Sequence, residues 1–236
     1  NPKGVKIADN PKDIVKGFIE KQQEIVSEYY GRNLDEIKLD EAMKPKHVAL
    51  SLTGDACMYP RLPELIDEIH NNGMTSFLVT NGTFPNMIRK LIDHQPTQIY
   101  ITLPAPDEKT FEEICKPLGP NGWERIMESI SLLKNFDRSV IRLTLGKGWN
   151  FKDPEKYAEI FNKTEFRFLE LKSAIPIGGA RYRMNYGQMP SHDEIKNFAE
   201  EIEKLTKFKI VDEQKESQVV LMCKEDNKER LLKLPT

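Results

Sequence analysis

The sequence predicts an α/β fold: a parallel sheet that closes, wholly or in part, into a barrel, with an antiparallel hairpin at its end. Three observations carry this prediction. Apolar runs of strand length recur five times, amphipathic helical segments separate them, and each run breaks into polar residues at its carboxyl end. Alternation of this kind gives parallel strands with right-handed crossovers, and such folds build their sites at the strand exits.

The elements follow in order. Asp13 to Tyr29 reads as a helix, because Ile14, Val15, Phe18, Ile19 and Ile25 recur at helical spacing; a charged excursion runs from Gly31 to Lys46. The first strand, His47 to Thr53, breaks at Gly54-Asp55-Ala56. Pro60 and Pro63 then open a helix that reaches Asn72 and stops at Gly73. Strand 76–80 breaks at Asn81-Gly82, and Pro85 leads into a short helix, 86–93. Strand 98–103 exits through Pro104-Ala105-Pro106-Asp107, followed by a helix at 107–115, the loop 119–122 and a helix from Trp123 to Asn135. Strand 139–145 opens into Gly146-Lys147-Gly148-Trp149, and helix 154–162 and strand 166–172 complete the alternation. After a loop around 178–183, Ser191 caps a helix at 191–206, with Glu194 completing a capping box. Segments 207–211 and 217–223 flank the polar turn 212–216 as a hairpin at a sheet edge. The expected organisation is a barrel over 1–190, with 191–236 as a helix and hairpin packed on the same domain.

Composition narrows the function classes. At 236 residues, 39% hydrophobic and 31% charged, the chain can bury one substantial core. A net charge of −2 excludes a global positive field, so any nucleic-acid contact must be local. Cys57, Cys115 and Cys223 are odd in number and far apart, which argues against a disulfide framework and for a reducing, cytoplasmic setting. No apolar run approaches the roughly 20 residues a membrane span needs, so no membrane partner is expected. The first residue is Asn1 rather than Met, and the expectation is a fragment whose N-terminal part is missing.

The chemistry candidates lie at the strand exits. Asp55 after Gly54 could hold an ammonium group or a metal, or serve as a turn aspartate. Thr80 and Asn81 offer a hydroxyl and an amide at the next mouth, although Asn-Gly is also a plain turn signal. Arg142 and Thr144 share a sheet face that points into the lumen of a barrel, where an unpaired arginine costs several kcal/mol and must find a partner or a ligand. Lys172 has the same placement. Glu170 precedes it on that face, with a Glu170–Lys172 or Glu170–Arg142 ion pair as the structural alternative. Arg181, Tyr182 and Arg183 combine charge with an aromatic ring, the mixture that grips phosphates and stacks unpaired bases, or simply a solvated basic loop. His47, His70 and His94 show no ligand spacing, and Met74, Met127 and Trp123 read as packing residues. The charge runs 196–207 and 224–233 read as solvated faces.

Together the segments 47–60, 75–81, 141–145 and 168–172, with 189–194 and the terminal hairpin, resemble the radical S-adenosylmethionine (SAM) enzymes of wyosine biosynthesis, the tRNA 4-demethylwyosine synthases. The resemblance runs over nearly the whole chain. It implies a partial (β/α)6 barrel, a [4Fe–4S] cluster, and SAM cleaved reductively to a 5′-deoxyadenosyl radical. It further implies that a two-carbon unit from pyruvate joins N1-methylguanosine in the tRNA anticodon loop. Gly54, Asp55 and Ala56 stand where the family has Gly-Glu-Pro beside the SAM amino group. Thr53, Gly54, Asp55, Thr80, Asn81, Thr102 and Thr144 are then the implied cofactor-binding residues, and Lys172 and Arg142 the catalytic ones. Lys147, Arg181, Tyr182 and Arg183 are the expected RNA contacts. The partners implied are tRNA, pyruvate and an electron donor of unknown identity, acting on a monomer.

The chain departs from the family in three places. It lacks the Cys-x3-Cys-x2-Cys loop that leaves one iron open for SAM. It has Asp55-Ala56 for Glu-Pro, and Gly178-Gly179-Ala180 for Gly-Tyr-Ser. The cluster ligands are expected upstream of Asn1, so that the chain by itself is inactive and holds no metal. Two alternatives stand beside this reading: an inactive SAM- or tRNA-binding homologue, and a (β/α)-barrel enzyme that clamps a phosphorylated metabolite with Lys147, Arg142 and Lys172.

Overall fold

A computed structural model describes residues 8–32, 35–51, 54–227 and 230–232. Its centre is one seven-stranded sheet of order β1-β2-β3-β4-β5-β7-β6. Strands β1 (His47–Leu50), β2 (Thr75–Thr80), β3 (Gln98–Thr102), β4 (Ser139–Leu145) and β5 (Phe168–Ser173) pair in parallel. The hairpin β6 (Lys209–Gln214) and β7 (Val219–Cys223) joins β5 antiparallel. Helices α1 (Pro11–Ser27) and α2 (Glu36–Met43) precede the sheet. The crossovers carry α3 (Leu62–Asn71), α4 (Pro85–Lys90), α5 (Glu108–Cys115), α6 (Gly122–Ser131) and α7 (Pro154–Asn162), and α8 (His192–Leu205) leads into the hairpin.

The strands alternate as a half-covered sheet must, since successive side chains point to opposite faces. Leu78, Ile99, Ile101, Leu103, Ile141, Leu143, Leu169, Leu171, Val220 and Met222 are completely buried beneath the helices. Tyr100, Thr102, Arg142, Thr144, Glu170 and Lys172 line the other, luminal face and are only partly covered. At the closing end of the alternation, Phe161 of α7 packs against Tyr157, Phe166 and Phe208, tying α7 to the entry of the hairpin.

Several boundaries differ from expectation, each for a local reason. The excursion 31–46 contains α2, a helix with no buried residue, so no apolar stripe announced it; Asp35 caps it by accepting from the Ile37 amide. Strand β1 ends at Leu50, and Leu52 and Thr53 lie outside the described residues. Pro63, not Pro60, occupies the first turn of α3, behind Arg61 at the cap. Helix α6 ends at Ser131 and tightens into a 3-10 turn at Leu133–Asn135. The loop after β5 holds two further 3-10 turns, Gly178–Tyr182 and Tyr186–Gln188. The capping box of Ser191 and Glu194 forms as expected.

Candidate active site at the strand exits

Polar side chains stitch neighbouring strand exits together at β1–β2 and at β3–β4. Between β1 and β2 the stitch is Asp55. It follows Gly54, whose φ of 74° is a left-handed turn conformation open to glycine. The Asp55 carboxylate accepts the Cys57 amide at 2.9 Å, the Asn81 amide at 2.9 Å and the Thr80 hydroxyl at 2.9 Å. The buried Thr80 oxygen in turn accepts the Gly82 amide, and the Asn81 side chain accepts the amide and hydroxyl of Thr83. All the donors to Asp55 are neutral, and among the described residues no cation pairs with it. A negative charge at the mouth is thereby held in place but left uncompensated.

Asn150 makes the corresponding stitch between β3 and β4. It is 5% exposed. Its amide donates to the carbonyls of Pro104 (2.8 Å) and Thr144 (2.9 Å), and its oxygen accepts the Gly146 amide (2.8 Å). Sequence reasoning missed Asn150, because a lone asparagine in a loop has no period; its place four residues behind a strand-ending glycine was the only signal. At the β4–β5 exit the Ala174 amide donates to Leu145, and the Ser173 hydroxyl donates to Pro190.

Below these exits the luminal side chains stand in rows set by register. Thr144 lies beside Lys172, which lies beside Val219; one row down, Thr102, Arg142, Glu170 and Leu221 are neighbours. Arg142 Nε donates to Glu170 Oε1 at 2.7 Å, and its guanidinium lies 4.3 Å from the centre of the Tyr100 ring. Of the two roles open to Arg142, the structure supplies the partner: its charge is spent on Glu170. Burial pushes the Tyr100 phenol above its ordinary value, so this ring stays neutral beneath the pair. Lys172 differs. Half-buried in the topmost row, it has no hydrogen-bonding or ionic partner among the described residues. A cavity of about 650 Å³ opens on the luminal face at the entry half of the strands, bounded by Gln98, Tyr100, Arg138, Val140, Phe168 and Arg230; Asp55, Thr80, Asn81 and Lys172 at the exits do not line it.

The expected RNA contacts divide. Arg181, Tyr182 and Arg183 are exposed on the loop after β5, with the Arg181 guanidinium over the Tyr182 ring at 5.0 Å and donating to its hydroxyl at 2.9 Å. Lys147 instead pairs with Glu194 at 2.8 Å, and this pairing, with the Ser191 amide, holds the Glu194 carboxyl below its ordinary value. With Arg142 and Lys147 both engaged by carboxylates, the phosphate clamp keeps only Lys172 of its three members.

No group of three histidine, cysteine, aspartate or glutamate side chains suited to a metal occurs among the described residues. His47 meets Thr75, His70 meets Ser76 and His94 meets Asp67, each within hydrogen-bonding distance. The three thiols are separate, and burial is the first cause that pushes each above its ordinary value, with the Asp55 carboxylate adding to it at Cys57. Protonated, isolated thiols do not fit an iron–sulfur cluster. The strand exits carry groups of the kind SAM takes: the Asp55 carboxylate has the charge complementary to an ammonium group, and Asn81, Thr102 and Thr144 add polar side chains to the exits and the luminal face.

A parallel β/α sheet with polar strand exits serves many chemistries, and the family profiles single out the radical SAM class. The profile of the Radical SAM superfamily matches residues 14–161, and that of Wyosine base formation matches residues 163–224. A tRNA 4-demethylwyosine synthase of Pyrococcus abyssi is 41% identical over 92% of the chain, which spans 65% of that relative's length. The synthase of Methanocaldococcus jannaschii is 35% identical, with 93% of the chain and 70% of the relative covered. A solved TYW1 with a lysine-pyruvate adduct bound superposes with a TM-score of 0.84 at 34% identity, covering 92% of this chain and 70% of that one. An archaeal TYW1 crystal structure gives 0.78 at 31%, covering 98% and 75%. The chain belongs to the tRNA 4-demethylwyosine synthase family.

Among the described residues no helix is long and apolar enough to cross a membrane.

Proposed function

We propose that this chain supplies the barrel of an enzyme that builds the tricyclic 4-demethylwyosine base from N1-methylguanosine in a tRNA anticodon loop, with pyruvate as carbon donor. The observation that carries this reading is Lys172: an amine without an internal partner, in the top luminal row, between Thr144 and Val219. A related structure holds a lysine–pyruvate adduct. The Lys172 amine attacks the ketone carbon of pyruvate, water leaves, and the resulting imine holds the substrate at the mouth. Gly54, Asp55, Thr80, Asn81, Thr102 and Thr144 form the SAM pocket in this reading, with Asp55 on the ammonium group; Thr53, assigned to the same pocket from the sequence, lies outside the described residues. SAM held there would supply radical chemistry. The terminal helix and hairpin, 191–236, are treated as part of the same unit, a cytoplasmic monomer supplied with electrons by a separate donor.

The test is chemical trapping. The chain is incubated with pyruvate and borohydride, which delivers hydride to the imine carbon and leaves a stable secondary amine. Peptide mass spectrometry is expected to find reduced pyruvate concentrated on Lys172. Labelling spread evenly over the lysines would refute the assignment.

The tRNA face in this reading is the loop Arg181-Tyr182-Arg183, where exposed cations meet phosphates and an exposed ring stacks on an unpaired base; Lys147 joins only by releasing Glu194. Replacing Arg181 and Arg183 together with alanine is expected to flatten the slope of log affinity against log salt by about 1.5, the release of two counterions. SAM affinity should be unchanged. Identical tRNA affinity at every salt concentration would move the RNA surface elsewhere.

A further inference from the structure

Lys172 and Glu170 stand on the same strand and the same face, two residues apart, so their Cα atoms are separated by about 6.6 Å. Side chains of that length meet easily across such a gap. A lysine and a glutamate so placed, half-shielded from water, would ordinarily form an ion pair. In this structure they do not. Glu170 turns to β4, where Arg142 holds it through Nε at 2.7 Å and Nη2 at 3.4 Å, with side-chain exposures of 22% for Arg142 and 14% for Glu170. Arg142 is itself fixed from below by the Tyr100 ring, so its guanidinium plane cannot swing toward the mouth without giving up that face.

We propose that Arg142 is a positioning residue: by clamping Glu170 it keeps that carboxylate off Lys172 and leaves the lysine a reactive free amine. The inference rests on the reading of Lys172 as the pyruvate-binding lysine for its biological meaning, though not for its test. An amine attacks a ketone only in its unprotonated form. A carboxylate hydrogen-bonded to Lys172 would favour the protonated form. Closed on each other, Arg142 and Glu170 leave no carboxylate on Lys172 and present it with no net charge. The other groups flanking Lys172 do not substitute for the pair. On β3 stand Thr102 and the neutral Tyr100, and on β4 Thr144. Strand β7 presents Val219 and Leu221. On β6, Asp212 is bound to Arg230 at 2.6 Å and Glu213 to Lys196 at 3.0 Å. At the mouth Lys147 is paired with Glu194, and Arg181 and Arg183 lie on the exposed loop.

The experiment reads the amine directly and needs no pyruvate. The chain is treated with trace acetic anhydride from pH 6 to 10, and the acetylation rate of Lys172 is measured by peptide mass spectrometry. Arg142→Gln frees Glu170, and below the high-pH plateau Lys172 is expected to acetylate about tenfold more slowly, with the plateau itself unmoved. Removing the freed carboxylate as well, in Arg142→Gln/Glu170→Gln, should restore the parent profile. Glu170→Gln alone leaves the guanidinium unbalanced and should shift the profile toward lower pH; this single variant keeps the test open if Arg142→Gln fails to fold. A purely structural pair would lower the melting temperature in all three variants without moving the Lys172 midpoint, and that result would overturn the proposal. So would an Arg142→Gln profile that coincides with the parent's. Failure of the pyruvate reading shows separately, as an absence of borohydride-trapped pyruvate on the parent whatever its acetylation profile.

Discussion

Lys172→Met is expected to slow borohydride-trapped attachment of pyruvate at this site by at least about 10³-fold, the usual scale for removing a nucleophile. Methionine keeps the unbranched stem that fills the top luminal row between Thr144 and Val219, so the change removes the amine with little change of volume. Lys147→Met is the matching control. That lysine sits at the neighbouring mouth but is tied to Glu194 at 2.8 Å, and its loss should leave attachment of pyruvate to Lys172 at the parent's rate. Equal trapping in Lys172→Met and the parent would remove the lysine from the reaction.

The largest effect on stability is expected at Phe161. Its side chain is fully buried, with ring centroids 6.2 Å from Tyr157, 5.7 Å from Phe166 and 6.3 Å from Phe208. Phe161→Ala deletes the centre of this cluster and leaves a hole that surrounding rings, themselves anchored on α7 and on the lead into β5 and β6, cannot fill. The expected cost is about 3–5 kcal/mol, or roughly 10 °C in melting temperature for a domain of this size. Urea unfolding followed by circular dichroism measures it. A cost below about 1 kcal/mol would mean that the cluster relaxes into the space. Because Phe208 leads into the hairpin, protease cleavage near β6 should rise in the same variant.

The strands were legible because the helices bury one full face of the sheet. Ile99, Ile101 and Leu103 alternate with Gln98, Tyr100 and Thr102, and Ile141, Leu143 and Leu145 alternate with Arg142 and Thr144. Helix α2 was not legible, since a helix that buries nothing leaves no stripe. At the site, the positions of Arg142, Glu170 and Lys172 on one face followed from period two alone. Which carboxylate pairs with which cation did not, because that depends on the register between β4 and β5. The stitching by Asp55 and Asn150 was equally hidden: a turn aspartate and a loop asparagine reach across strands to backbone groups that no local pattern identifies.

The direction of β7 has a further consequence. Because it runs against β5, the turn joining it to β6 rises beside Lys172 instead of closing the far end of the barrel. Gln218 closes that turn with a φ of 52°, donating its amide to Lys215 and receiving the Ser173 amide on its carbonyl. A parallel strand in the same place would have required a crossover helix, and its length could not change without disturbing the packing beneath. A hairpin tip carries no such burden, since added residues cost chain entropy only slowly and leave the ladder intact. The length and charge of the rim beside Lys172 can therefore change one residue at a time while the sheet beneath it stays as it is.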